Sequence, residues 1–134
     1  MILDSQNLFS DAQAVVADAA STNIVMMGSA VDPGDAGGGG PIPLLIQVVE
    51  AFNNLTSLDV VVQVDADVAF GSPKSVMTVN ILLADLVAGK QIAPQYIPQG
   101  SDEQYMRIYY NVNGTNPAAG KITAGITMGN QTNA

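Results

Sequence analysis

The chain has no cysteine, no histidine and no tryptophan, and only four basic residues against twelve acidic ones. Without cysteine there is no disulfide framework, no thiol nucleophile and no thiolate metal site. Without histidine the commonest general base is missing, together with the middle member of the usual serine triad. These absences argue against most enzyme classes and point to a non-enzymatic protein with no cofactor and no metal, although carboxylate chemistry stays open. The net charge of −8 repels phosphate backbones, so nucleic acid is an unlikely partner. Apolar runs stay well short of the ~20 residues a membrane helix needs, and the first residues lack the basic and long apolar regions of a secretory signal. The expectation is therefore no membrane partner.

What is present is alternation. In the stretch 57–65, Leu58, Val60, Val62 and Val64 fall on one side of a strand, and Asp59, Val61, Gln63 and Asp65 on the other. β-Branched residues dominate it, as a half-buried pleated surface prefers. The same logic recurs at 104–112, where Met106, Ile108, Tyr110 and Val112 oppose Tyr105, Arg107, Tyr109 and Asn111. It recurs again at 120–128, where Ile122, Ala124, Ile126 and Met128 oppose Lys121, Thr123, Gly125 and Thr127. Weaker strands fit 12–16, 24–27, 43–50 and 75–81, with an edge strand or bulge over 91–97, interrupted by Pro94 and closed by Pro98. A helix over 11–20 competes with the first of these, and 82–89 has room for one helical turn stopped by Gly89.

Two segments break the pattern. Residues 1–10 carry Ile2, Leu3, Leu8 and Phe9 among polar residues with no sustained period, so they read as an extended arm. Such an arm either packs on the protein's own body or grips a neighbouring molecule. Residues 32–43 hold Gly37, Gly38, Gly39 and Gly40 between prolines and aspartates, a composition incompatible with helix or inner strand. A phosphate loop would end in Gly-Lys-Ser/Thr, which this one does not. About eight short strands without a long helix predict one all-β domain over 1–134, an antiparallel jelly-roll sandwich or barrel.

Few constellations carry chemistry. Asp59, Asp65 and Asp67 invite a cation, yet an EF-hand would need more acids at fixed offsets, and acids at strand ends and turns are usually only solvated. The outward face of 104–112, with Tyr105, Arg107 and Tyr109, has the residue types enriched at protein–protein hot spots. The same three can stack on a sugar, or can lie packed under a loop. Three Asn-x-Thr triplets, at 54–56, 113–115 and 130–132, match the glycosylation pattern as a coincidence expected of an Asn- and Thr-rich chain.

Several segments are similar to small capsid cement (decoration) proteins of tailed double-stranded DNA bacteriophages. They are the opening Met-Ile-Leu-Asp-Ser-Gln-Asn-Leu-Phe-Ser-Asp-Ala-Gln-Ala-Val, Ala-Phe-Gly-Ser-Pro at 69–73, Ala-Asp-Leu-Val-Ala-Gly at 84–89, and Gly-Lys-Ile-Thr-Ala-Gly at 120–125. They stand in that family's order and span nearly the whole chain; the tetraglycine loop departs from the pattern. The resemblance implies a jelly-roll virion protein, made in the host cytoplasm, on the outer surface of a bacteriophage head. Its partners would be the major capsid protein, whose subunits it bridges, and copies of itself as a homodimer or homotrimer. The arm residues Ile2, Leu3, Leu8 and Phe9 and the strand residues Tyr105, Arg107 and Tyr109 are then the expected capsid or subunit contacts. A carbohydrate-binding jelly-roll module built on the same tyrosines is the alternative.

Overall fold

A computed structural model describes residues 3–26, 42–92, 96–97 and 105–127 of the chain. The strand at its centre is β5 (Leu55–Asp65). Its even-numbered side chains Leu58, Val60, Val62 and Val64 are all fully buried, as the alternation predicts. The opposite face is drier than the sequence suggests, because Val61 and Asp65 are also buried.

The other strands in chain order are β1 (Leu3–Ala14), β2 (Ala19–Ala20), β3 (Val25–Met26), β4 (Ile42–Glu50), β6 (Lys74–Leu82), β7 (Tyr96–Ile97), β8 (Tyr105–Gly114) and β9 (Lys121–Thr127). One sheet runs β1-β9-β4-β7. The second runs β2-β8-β5-β6, and β3 pairs with the same edge of β8 as β2 does. Every pairing is antiparallel. Among the described residues there is no α-helix, only a 3-10 turn at Leu83–Asp85, and Gly89 follows it with φ +86°. The fold is an all-β sandwich of two antiparallel sheets.

The sheets meet over a core in which Leu44, Ile46 and Val48 of β4, Met106, Ile108 and Tyr110 of β8, and Ile122 and Ala124 of β9 join the buried row of β5. A polar link crosses this core. Ser10 Oγ on β1 donates to Gln13 Oε1 at 2.6 Å and lies 2.8 Å from the Tyr110 hydroxyl on β8. Ser10 has one proton and spends it on Gln13, so Tyr110 donates to Ser10. Burial pushes the Tyr110 phenol well above its usual pKa, against the smaller opposite pull of Ser10. Gln13 passes the link on, accepting from the Thr22 N–H and donating to the Ala20 carbonyl.

Of the two readings of the N-terminal segment, the structure shows the packing on the protein's own body. From Leu3 onward the supposed arm is an edge strand hydrogen-bonded to β9, so it is neither free nor limited to 12–16. Its register with β9 slips between Leu3 and Leu8, between Leu8 and Ser10, and between Ser10 and Gln13, with Ala12 at φ +47°. Each bulge resets which residues face inward, and this erases the period of 2 that would have marked a strand. The competing helix over 11–20 is absent for the same region: β1 runs to Ala14 and β2 begins at Ala19. Of the Gly/Pro-rich segment, Ile42 and Pro43 open β4 opposite β7; residues 32–41, and with them Gly37 and Gly40, lie outside the described residues.

Candidate interaction face on the β5–β8 sheet

Sequence alternation puts Tyr105, Arg107, Tyr109 and Asn111 on the outer side of β8, and the register sets them opposite Asp65, Gln63, Val61 and Asp59 of β5. All four of these β8 side chains are half-buried. The turn between β5 and β6 lies over Arg107. Asp65 accepts the backbone N–H groups of Asp67 at 3.0 Å and Ser72 at 2.9 Å, and Asp67 accepts that of Ala69. These Asx-type bonds fold the turn back on the sheet. They leave Phe70, at φ +52°, with its ring buried against the face.

Arg107 is the meeting point. Its guanidinium carbon sits 4.3 Å from the centroid of Phe70 and 5.5 Å from that of Tyr109, and its Nε donates to Gln63 Oε1 at 2.9 Å. An arginine held between two rings is fixed before any partner arrives, so ordering it on binding costs little. The N–H of Asp67 and then that of Ser72 hold the Asp65 carboxyl below the usual carboxylate range. Burial opposes them, and the charge of Arg107 adds a weaker pull in the same direction as the amides.

At the other end of the face, Asp59 is clamped between strands. Asn80 of β6 donates to Oδ1 at 2.7 Å and Asn113 of β8 donates to Oδ2 at 3.1 Å, and both amides also reach Ser57 Oγ. The three aspartates that invited a cation are thus turned to separate partners. Among the described residues no three acidic, histidine or cysteine side chains converge as a metal site would require.

The candidates from the sequence divide accordingly. Tyr105, Arg107 and Tyr109 share one face; Leu8 and Phe9 belong to β1 of the other sheet. Phe9 is fully buried in the chain's own core, so its expected role as an outward contact is corrected. Leu8 is half-buried; the side chain of Leu3 and the whole of Ile2 lie outside the described residues. The sequence reading missed Phe70, whose run Ala-Phe-Gly-Ser-Pro was visible at 69–73 but whose burial depends on the fold of the turn. Stacking of Arg107 on Tyr109 also occupies part of the ring surface that a sugar platform would use.

The family model Bbp16 matches residues 9–126. The chain belongs to the Bbp16 family. The Bbp16 match begins at Phe9, a core residue of β1, and contains the whole Tyr105–Arg107–Tyr109 face; Ile2, Leu3 and Leu8 precede it. No curated protein matches the sequence.

Proposed function

We propose that this is a non-enzymatic capsid cement protein, which binds the outer surface of a bacteriophage head and bridges major-capsid subunits. The observation that carries the reading is the ordered resemblance of the four segments to cement proteins. Two features of the structure support it. Among the described residues, counting β2 and β3 as one broken strand gives eight, ordered 1-8-3-6 in one sheet and 2-7-4-5 in the other. That order is compatible with the jelly roll that the resemblance implies. The face of Tyr105, Arg107 and Tyr109, ordered in advance by Phe70, has the composition of a protein-binding hot spot.

Cementing is a matter of many modest contacts. Each copy binds across a seam of an assembled shell, and occupancy of neighbouring seams adds the small contributions into a large resistance to opening. Contacts with the shell fall to Tyr105, Arg107 and Tyr109, with Leu8 and the residues before it as a second patch; Phe9 is withdrawn from the list.

Co-sedimentation with expanded, undecorated capsids tests this directly. Saturable binding at a fixed number of copies per capsid subunit is the expected result. Absence of binding by folded protein would sink the proposal, and binding to a glycan array lost in Tyr109→Ala would put a carbohydrate-binding module in its place.

A further inference from the structure

The C-terminal end of β8 holds the one Asn-Gly dipeptide of the sequence, Asn113–Gly114. The glycine is dictated by the fold. Gly114 has φ +94°, and a Cβ there would lie 2.7 Å from Thr56 Oγ1 and 3.1 Å from the Thr56 nitrogen. Thr56 is where the register of β5 against β8 shifts, between Leu55 and Ser57. Glycine alone meets both the space and the backbone. The residue before it is exposed, yet its amide is held: Asn113 Nδ2 donates to Ser57 Oγ and to Asp59 Oδ2, each at 3.1 Å. Asn80 is held by the same two side chains but is followed by Ile81.

An asparagine followed by glycine has a defined reaction open to it. The Gly114 backbone nitrogen gives up its proton and attacks Cγ of Asn113. The Cγ–Nδ2 bond breaks, ammonia leaves, and a five-membered succinimide closes. Water then opens either imide C–N bond, giving aspartate or, with the main chain rerouted through the side chain, isoaspartate. One water is consumed and one ammonia released, with no oxidant or reductant. Glycine favours the attack because no side chain shields its nitrogen. Ring closure must bring Asn113 Cγ onto that nitrogen, and the extended backbone of an antiparallel strand holds the two apart.

We propose that Asn113–Gly114 is a latent deamidation site, held shut in the folded sheet by the Ser57–Asp59 clamp and opened when the end of β8 parts from β5. The clamp fixes the amide against β5, away from the Gly114 nitrogen, and local opening releases it. The products do not close again as the parent does. Aspartate at 113 puts a carboxylate oxygen where Nδ2 stood, 3.1 Å from Asp59 Oδ2, and two carboxylates repel where an amide had donated. Isoaspartate adds a methylene to the main chain of the strand that pairs with β2, β3 and β5, which shifts its register. The glycine that the fold demands is thus also the liability, and the clamp is its protection. This inference does not use the capsid reading.

The test keeps folded wild type and the same protein unfolded in guanidinium chloride in one mildly alkaline buffer. Peptide chromatography with mass spectrometry follows the aspartate and isoaspartate forms at 113. In denaturant, conversion at 113 is expected to run ahead of every other asparagine; in the folded protein it is expected to be about tenfold slower or more. Asp59→Ala, with its fold checked by circular dichroism, should speed conversion in the folded state and leave the rate in denaturant unchanged. Asn113→Asp should melt below Asn113→Ser, since both lose the amide and only the first adds charge. Equal rates in folded and unfolded wild type would overturn the proposal. So would a folded Asp59→Ala that converts no faster than wild type, or an Asn113→Asp as stable as Asn113→Ser. If Asp59→Ala does not fold, the other two comparisons decide.

Discussion

The hydrogen bond between Ser10 and Tyr110 joins the two sheets at 2.8 Å, between side chains that are 1 % and 0 % exposed. Removing it from either end has unequal consequences. Tyr110→Phe takes away the donor and leaves Ser10 donating to Gln13, a loss of about 1 kcal/mol. Ser10→Ala leaves the Tyr110 hydroxyl buried without that acceptor, and about 1–3 kcal/mol is expected. Urea denaturation of the two variants checks the order. Asp65 gives a pH effect of known sign. Its folded pKa lies below the unfolded value of about 3.9, so its contribution is complete above that pH and is lost as pH falls toward the folded value. Asp65→Asn should be less stable at neutral pH and lose less on acidification than the wild type. A variant with the same acid slope as the wild type would show that the turn does not use the ionised carboxylate. Gly120 is a third such position: its φ is +142°, and a Cβ there would lie 2.4 Å from the Phe52 ring. Gly120→Ala should cost about 2–4 kcal/mol through overpacking and backbone strain, read as a lowered Tm.

Among the elements, β1 carries the largest revision. It had the makings of a detachable arm, yet it closes one sheet and delivers Phe9 to the core. Phe9→Ala is therefore expected to destabilise the fold by about 3–5 kcal/mol, measured by thermal or urea unfolding. A loss below about 1 kcal/mol would mean that β1 detaches easily and that the arm reading was the better one. Deleting residues 1–10 would remove the core residue Phe9, so that deletion is expected to unfold the chain as well as to remove its N-terminal contacts. The turn between β5 and β6 is the second element of consequence. Its Asx bonds and Phe70 hold Arg107 in place, so Phe70→Ala frees the guanidinium as well as leaving a cavity.

For the whole molecule, the arrangement separates two surfaces on one sheet: an outer face centred on Arg107 and the edge at β6, the last strand of that sheet among the described residues. Arg107→Ala should weaken capsid co-sedimentation about tenfold or more, as loss of a central interface arginine does, while leaving the oligomeric mass unchanged.

The sequence by itself determined the strands whose alternation is unbroken. For β5, β8 and β9 the inward rows were legible, because the side chain's direction in a straight strand is a local property with a period of 2. It also determined, through missing histidine and cysteine, that these residues offer no imidazole and no thiol side chain. It placed Tyr105, Arg107 and Tyr109 on one face for the same local reason. Only the tertiary structure decided that β1 belongs to a sheet, since three bulges hide its period and its pairing is with β9, more than a hundred residues away in sequence. Only the tertiary structure put Phe70 over Arg107, because a turn residue's burial depends on what the turn folds against. And it alone placed β6 last in its sheet among the described residues, because strand order is a property of the whole sheet.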